Sequence, residues 1–128
     1  MPDASDVIRS FVEAYAAGDR AGMKSVLSAS LEAYVTNAEA GVDRVDGADA
    51  YLERLPDLAG ADLSLRVTQS VMVAPDQALT MVEVRARRGD RDLHNFAAFL
   101  SRVRDGQIAE LWMVDALPAY SDEFWSDY

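Results

Sequence analysis

A stretch of two apolar runs, residues 92–115, most constrains the structures that this chain can form. It reads DLHNFAAFLSRVRDGQIAELWMVD, and the two runs flank a central Asp-Gly pair. An Asp-Gly pair between such runs is a strong signal for a β-hairpin. Both arms carry apolar residues at successive positions, whereas a strand with one face in water alternates apolar and polar residues. We therefore predict a hairpin that is covered on both faces.

Two turn lengths fit this hairpin, and they put different residues beside Asp115. A type I′ turn made by the Asp-Gly pair alone places Phe96 directly opposite Asp115 and His94 diagonal to it. A three-residue loop that also includes the preceding arginine places Asn95 opposite Asp115 and turns His94 to the outer face. Because a slip of one residue exchanges the two faces of a strand, the turn decides which polar residues lie together.

The length and composition indicate one globular domain, residues 1–128. Half of the residues are hydrophobic and 27% are charged, a normal globular balance. The net charge of −10 argues against nucleic acid or a membrane surface as a partner, because phosphates are bound by clustered Lys and Arg. Cysteine is absent and histidine occurs once, so thiol catalysis is excluded. With no phosphate-binding loop, zinc motif or signal-peptide pattern, we expect a cytoplasmic protein that uses no metal and no cofactor.

Apolar residues at helical spacing predict three helices in the first part of the chain. Asp6 is the predicted N-cap of the first helix, Asp19 of the second and Asp46 of the third. Between the last two helices, residues 31–36 are predicted as a short strand. The polar, glycine-containing residues 37–45 are predicted as a loop.

From Leu63 onward the apolar residues recur at every second position, which is typical of β-strands. Strands are predicted over residues 63–73 and 79–87, followed by the hairpin and a short terminal helix from Ser121. Helices followed by a long antiparallel meander indicate the α+β class, with N-terminal helices packed on a strongly curved, mainly antiparallel sheet.

Three short helices can cover only one face of such a sheet. The other face would expose the side chains of Phe96, Leu100, Trp112 and Val114. An apolar patch of that size marks an interaction surface. We therefore expect a symmetric homodimer through this outer sheet face.

Three short motifs occur in a fixed order along the chain. They are FVEAYAAGD at residues 11–19, VDG at residues 45–47, and RVRDGQI followed by ELW at residues 102–112. With this order and spacing the chain resembles the family named after nuclear transport factor 2, especially its SnoaL-like branch, over nearly its whole length. The resemblance implies a cone-shaped fold with an internal pocket. Family members include ketosteroid isomerases, polyketide cyclases, epoxide hydrolases, dehydratases and non-catalytic proteins, so the fold alone does not decide the function.

The functional positions that the resemblance implies carry apolar residues in this chain. The base of the ketosteroid isomerases aligns with Val35, their tyrosine with Phe11 and their protonated acid with Phe99, so that isomerase mechanism is not expected here. The acid of the cyclases and epoxide hydrolases aligns with Met113. Asp115 lies two residues further on, on the same face and one pleat nearer the rim of the pocket.

The resemblance favours the three-residue loop, because that register puts one set of side chains on the pocket side: Asn95, Ala97, Phe99, Leu111, Met113 and Asp115. Asp115 is then the first candidate for a general acid or base, since a carboxyl at the mouth of an apolar pocket loses solvation. Asn95 would orient it. Glu83, expected in the same cavity, and the lone His94 are the other catalytic candidates.

The candidates for ligand binding are Tyr15, Val35, Met81, Arg85, Phe99, Leu111 and Met113. Each candidate also has a purely structural interpretation, as a core residue, a strand-edge amide, a surface ion pair or a solvated strand end.

Two functions are compatible with these patterns. The first is a cofactor-independent acid–base enzyme of the isomerase, cyclase, dehydratase or hydrolase type, which acts on an apolar, oxygenated small molecule. The second is a non-catalytic ligand-binding or dimerising module on the same fold. The acidic residues near the pocket favour the first interpretation, and the apolar residues at the family's functional positions favour the second.

Overall fold

The computed structural model describes residues 2–56, 58 and 61–126. Within them lie four helices and six strands. The helices are α1 (Ala4–Ala16), α2 (Arg20–Ser25), α3 (Ala48–Arg54) and α4 (Pro118–Ser126). The strands are β1 (Leu27–Thr36), β2 (Val42–Asp46), β3 (Asp62–Ala74), β4 (Gln77–Arg88), β5 (Arg91–Arg104) and β6 (Gln107–Asp115).

The six strands form one curved, unclosed sheet in the order β2-β1-β6-β5-β4-β3. All neighbours are antiparallel except β1 and β6, which run parallel. Helix α1 packs on the inner face of the sheet, in contact with β3, β4, β5 and β6. This arrangement confirms the predicted α+β class with N-terminal helices on a curved, mainly antiparallel sheet.

The hairpin between β5 and β6 combines features of both predicted turns. Asp105 and Gly106 have φ angles of 54° and 77°, as a type I′ turn requires, and Arg104 pairs with Gln107. The predicted three-residue loop is therefore wrong. A β-bulge follows within two residues, because Val103 pairs with Ile108 while the preceding residue pairs with Glu110.

The bulge inserts Ala109 as an unpaired residue and shifts the register of β6 by one position. Beyond it Ala97 pairs with Asp115, rather than Asn95 or Phe96 as either simple turn would require. Asn95 and Asp115 are therefore diagonal neighbours on the inner face. The predicted membership of that face is correct although the predicted turn is not.

The helix starts differ from the predictions at two positions. In α1 the N-cap is Asp3, whose carboxylate accepts a hydrogen bond from the Asp6 N–H, while the Asp6 carboxylate accepts one from the Asp3 N–H. In α3 the N-cap is Gly47, whose φ of 95° strongly favours glycine. Asp46 instead ends β2 and bonds Arg44 through its side chain. Asp19 caps α2 as predicted.

The loop predicted over residues 37–45 includes residues 42–45 of strand β2. Its sequence, VDRVD, alternates only briefly, and β2 lies at the edge of the sheet, where solvated polar side chains need no apolar partner. Gly41 and Asn37 close the β1–β2 turn: the Asn37 N–H donates to the Gly41 carbonyl, and the Gly41 N–H donates to the Asn37 side-chain oxygen.

The larger of two apolar clusters, the main core, lies between the helices and the inner face of the sheet. Its fully buried members come from α1, α3 and three strands and include Ile8, Phe11, Leu31, Tyr51, Leu52, Val82, Ile108 and Leu111. The opposite face exposes apolar side chains, among them Leu79, Met81, Phe96 and Val114. No helix in the described ranges is long and apolar enough to span a membrane.

Leu31 provides a direct test of this core. Its side chain is fully buried, whereas that of Leu117 is 53% exposed. We expect Leu31→Ala to lower the free energy of unfolding by about 2–5 kcal/mol, because it leaves a cavity. Leu117→Ala, the matched control, should change it by less than about 1 kcal/mol. Urea unfolding followed by circular dichroism measures both values, and equal losses in the two variants would contradict the core described above.

Candidate functional site

A cavity of about 490 Å³ lies between the helices and the inner face of the sheet. Its apolar wall is formed by side chains from α1, β1 and β3–β6: Phe11, Val12, Val35, Leu63, Leu65, Val82, Val84, Phe99 and Met113. Polar side chains lie in two groups, one at the ends of β5 and β6 and one between β1 and α3. The volume lies in the range of small-molecule sites in proteins.

The first polar group is centred on Asp115. The Asn95 side-chain amide donates to Asp115 Oδ1 over 2.6 Å, and the Leu117 N–H donates to the same oxygen over 2.8 Å. Asn95 is only 3% exposed, and its own oxygen accepts from the Phe96 N–H over 2.8 Å. The other carboxylate oxygen, Asp115 Oδ2, accepts no hydrogen bond from the described residues.

Strand pairing fixes the position of this group. Because β1 and β6 are parallel neighbours, their carboxyl-terminal residues lie side by side at the same end of the sheet. There the Asp115 N–H donates to Thr36 Oγ1 over 2.9 Å. Both Thr36 and Asp115 line the cavity. Two hydrogen bonds therefore hold the Asp115 carboxylate, and a third holds the Asp115 backbone, so that the side chain has a defined orientation.

The second polar group joins β1, β2 and α3. The Asn37 side-chain amide donates to Asp43 Oδ1 over 3.0 Å, and Arg54 pairs with the other oxygen of that carboxylate. The hydrogen bond from Asn37, followed by that from Arg54, holds the pKa of Asp43 below its ordinary value. Asp43 is therefore ionised at neutral pH, and its charge offsets that of Arg54.

Two phenols lie among the apolar side chains. Tyr15 and Tyr51 both line the cavity, and the ring of Phe11 lies between them, with centroids 6.3 Å and 6.2 Å away. Burial raises the pKa of both tyrosines, so both hydroxyl groups stay protonated at neutral pH. The Tyr51 hydroxyl donates to the Met113 sulfur over 3.7 Å.

The structure places Asn95, Asp115, Tyr15, Val35, Phe99 and Met113 around the cavity, as the sequence predicts. Leu111 is fully buried in the core and is not part of the cavity wall. The predicted ligand contact at Leu111 is therefore wrong, because core side chains enclose this residue completely.

Met81, Glu83 and Arg85 do not face the cavity, and that prediction is also wrong. In β4 the inner face is formed by Val82 and Val84, so the alternating residues point outward. His94 lies on the same outer face, where its Nε2 is 2.8 Å from Glu83 Oε2. These outer-face positions exclude Glu83 and His94 from chemistry at Asp115.

The outer-face carboxylate of Glu83 is the centre of a charged cluster. Arg66 Nη2 and Arg85 Nη2 lie 2.9 Å and 3.3 Å from its two oxygens, in addition to His94. The hydrogen bond with His94, followed by that with Arg66, holds the pKa of Glu83 below its ordinary value. The side chain of Glu83 is 13% exposed and is surrounded by these cationic side chains on the outer face of the sheet.

Sequence reasoning missed several residues of the cavity, among them Asp43, Tyr51 and Arg54. Asp43 lies in the segment predicted as a loop, and the pairing of β2 with β1 brings it beside the cavity. Tyr51 was recognised only as part of an apolar helical stripe, a pattern that does not distinguish core from cavity wall. No group of three or more His, Asp or Glu side chains in the described ranges is arranged to bind a metal ion.

Comparisons with known proteins agree with this architecture. The chain matches the sequence model of the SnoaL-like domain over residues 8–111 and therefore belongs to the SnoaL-like family. A comparison with curated protein sequences gives no match.

Three solved structures that superpose on this chain are distant from it in sequence. An LEH-like epoxide hydrolase of M. tuberculosis superposes with a TM-score of 0.71 at 15% identity, covering 90% of this chain and 84% of that one. A candidate SnoaL-like polyketide cyclase of Jannaschia sp. CCS1 gives 0.70 at 17% identity, covering 91% and 86%. An NTF2-like protein of unknown function from Burkholderia pseudomallei gives 0.78 at 12% identity, covering 98% and 99%. At these identities the likeness shows the fold alone.

The lowered pKa of Glu83 predicts a pH-dependent contribution to stability. A carboxyl with a lowered pKa in the folded state stabilises the fold above its ordinary pKa, here 4.5, and loses that contribution as the pH falls through the lowered value. Glu83→Gln should therefore lower the free energy of unfolding at pH 7, and its difference from the wild type should shrink below pH ~4.

The matched control is Glu53→Gln, on the exposed side of α3, where the described residues provide no ion pair. Urea unfolding at a fixed protein concentration, repeated between pH 3 and pH 7, measures the difference. A difference between Glu83→Gln and wild type that is constant with pH would contradict the stabilising role of the ionised carboxylate.

Proposed function

We propose that this SnoaL-like protein is a cofactor-independent acid–base enzyme that acts on an apolar, oxygenated metabolite in the cavity. The observation that supports this proposal most strongly is the Asn95–Asp115 pair at one end of a cavity whose wall is largely apolar. A carboxylate in such a place is oriented by its neighbours and partly removed from water, the two conditions that general acid–base catalysis requires. A cytoplasmic location remains a prediction.

Asp115 would transfer the proton through Oδ2. Both hydrogen bonds to its side chain go to Oδ1, so Oδ2 is the oxygen that can approach a substrate C–H or O–H group. As a base, Oδ2 takes that proton and Asp115 becomes a neutral carboxylic acid. The same proton is then returned to another atom of the substrate, or to a leaving oxygen. Asn95 is a positioning residue, because it acts on the carboxylate and not on the substrate.

The charges around the cavity support an uncharged substrate. Among the residues that the structure describes, four carboxylates line it, those of Glu39, Asp43, Asp115 and Asp122, against the one cation of Arg54. Arg54 is already paired with Asp43. An anionic ligand would meet an excess of negative charge, which costs binding free energy in a partly desolvated site. We therefore expect ketones, enones, epoxides or alcohols rather than carboxylates.

A non-catalytic ligand-binding module remains the second candidate, and one observation favours it. The Asp115 carboxylate also holds the start of the segment that leads into α4, through the Leu117 N–H. A carboxylate at the end of a strand often has this role alone. The apolar residues at Phe11, Val35 and Phe99 are compatible with such a module.

Asp115→Asn separates the two candidates. We expect it to reduce turnover by about 100-fold or more, because an amide cannot accept the proton. Candidate apolar ketones, enones and epoxides are incubated with the protein, and their products are measured by mass spectrometry. Asp122→Asn, a second cavity aspartate on α4, is the matched control and should retain turnover.

Thermal unfolding of both variants and binding of the same compounds separate loss of chemistry from loss of structure. Full turnover by Asp115→Asn would remove Asp115 from the reaction. Binding of the compounds to the wild type without any turnover would support the ligand-binding module.

We also propose that a second copy of the chain covers the outer sheet face. In the predicted patch, Phe96 and Val114 expose 43% and 44% of their surface, and Leu100 and Trp112 are partly exposed. Trp112 is stacked on Tyr34 with centroids 4.3 Å apart, which extends the apolar area onto β1. Such a surface is of the kind that forms interfaces between copies.

The charges at the two edges of this face fit a two-fold axis. Arg66 and Arg85 give the β3–β4 edge an excess of positive charge over Glu83. The opposite side of the face, formed by β2, β1 and β6, carries the carboxylates of Glu32, Asp46 and Glu110. These carboxylates outnumber the arginines with which they pair, so this side has an excess of negative charge. A two-fold axis parallel to the central strands brings the positive edge of one copy to the negative edge of the other, so the face is complementary to itself.

Phe96→Glu tests this interface. The wild type should sediment as a dimer, and the variant should shift toward the monomer, because a carboxylate would be buried without a partner. Ala21→Glu, an exposed position on α2 in the helical layer, is the control and should remain dimeric. Sedimentation velocity at several concentrations measures the distribution. A monomeric wild type, or a dimer unaffected by Phe96→Glu, would contradict the proposed interface.

A further inference from the structure

We propose that α4 is a lid over the cavity, that it opens as one unit, and that the Tyr120 hydroxyl is the latch that holds it closed. This inference shares one premise with the proposed function, namely that the cavity binds an apolar molecule. It goes further in assigning the route by which that molecule enters and leaves, and it does not depend on the acid–base role of Asp115.

The first observation is that one side of α4 forms part of the cavity wall. Residues at helical spacing line the cavity from this side: Pro118, Ser121, Asp122 and Trp125. The Leu117 N–H, just before the helix, donates to Asp115 Oδ1 over 2.8 Å, so α4 begins directly beside the candidate carboxylate. Displacement of α4 would therefore open the cavity next to the Asn95–Asp115 pair.

The second observation is that Tyr120 attaches α4 to an edge of β5 that β6 does not cover. The last pair between the two strands is made by Ala97, whereas β5 begins at Arg91. On the uncovered edge, the Tyr120 hydroxyl donates to the Asp92 carbonyl over 3.1 Å and accepts from the His94 N–H over 3.2 Å. One side-chain oxygen thus satisfies two backbone groups that a neighbouring strand would otherwise satisfy.

The third observation is that α4 has the least apolar burial of the three helices that line the cavity. Helix α1 buries five side chains and α3 buries three, whereas α4 buries one, that of Phe124. Its C-terminal part is also held by hydrogen bonds from Arg88 and Arg91 to backbone carbonyl groups. Segments with little apolar burial open at the lowest free-energy cost, so α4 is the part of the wall that opens first.

A lid at this place separates the Asp115 carboxylate from bulk water while a ligand is bound, and its opening admits the ligand and releases the product. Tyr120 is not among the residues that line the cavity, so it affects the ligand through the position of α4 and not by contact. A helix of nine residues is not stable by itself in water. Opening therefore also exposes the amide groups of α4, which makes it measurable.

Amide hydrogen exchange of the ligand-free protein, followed by nuclear magnetic resonance, tests the opening. In the wild type, we expect the α4 amides and the His94 N–H to share one opening constant, larger than that of the α1 amides. Tyr120→Phe should raise the opening constant of α4 about tenfold, because the latch hydrogen bonds are lost. The matched control is Tyr34→Phe, which removes a phenol on the outer face and should leave α4 unchanged.

Ligand kinetics test the route of entry. Trp125 lines the cavity and is the remaining tryptophan in a Trp112→Phe background, so stopped-flow fluorescence reports the arrival of 2-tetralone. If the ligand passes through the open lid, association and dissociation are both proportional to the fraction of open molecules. Tyr120→Phe in this background should therefore raise both rate constants by the same factor, about tenfold, and leave their ratio, Kd, unchanged.

Equal opening constants for α4 and α1 in the wild type, or no increase for α4 in Tyr120→Phe, overturn the lid. Unchanged rate constants in Tyr120→Phe, or a change in Kd alone, overturn the latch as the control of ligand entry. The exchange measurement needs no ligand, so opening of α4 without binding of 2-tetralone supports the lid and counts against the proposed function. Full turnover by Asp115→Asn rejects the acid–base role and leaves the lid in place.

Discussion

The hydrogen bond from Asn95 to Asp115 Oδ1, 2.6 Å long, depends on one unpaired residue in β6. Without the bulge at Ala109, the type I′ turn at Asp105–Gly106 would place Phe96 opposite Asp115 and turn Asn95 to the other face. With the bulge, Asn95 and Asp115 share the inner face. The position of the Asn95–Asp115 pair therefore depends on the turn and on the bulge together. The bulge shifts the register so that both side chains face the cavity although the turn has only two residues.

The sheet separates two surfaces with different physical character. Its inner face combines apolar side chains with a small number of oriented polar groups, Asn95, Asp115, Tyr15 and Tyr51. Its outer face combines exposed apolar side chains with ion pairs centred on Glu83. The first composition fits the small-molecule site proposed above, and the second fits the proposed interface between two copies of the chain. Strand alternation alone produces this division, because neighbouring residues on β4 and β5 point to opposite faces.

The sequence was sufficient to predict the fold class and many of the residues on the inner face of the sheet. The period of two from Leu63 onward, the Asp-Gly pair and the motif order led to the correct class and to Asn95, Phe99, Met113 and Asp115 on one side. The sequence was not sufficient to place Glu83 and Arg85. Alternation along β4 shows that these two residues share a face of the sheet, but it does not show whether that face points toward the helices. Packing imposes a similar limit on Tyr51 and Leu111. Both belong to apolar stripes in the sequence, and only the packing of the folded core determines that Tyr51 borders the cavity whereas Leu111 does not.

Nuclear magnetic resonance of the ligand-bound protein tests most directly that the functional side of the sheet is the inner one. An apolar ketone such as 2-tetralone is added to labelled protein while the Asn95 side-chain amide and the backbone signals of β5 and β6 are followed. The structure predicts that signals of Asn95, Met113 and Asp115 shift together with ligand concentration, while those of Glu83 and His94 stay in place. Shifts confined to Glu83 and His94, with Asn95 unchanged, would contradict the placement of the site in the cavity.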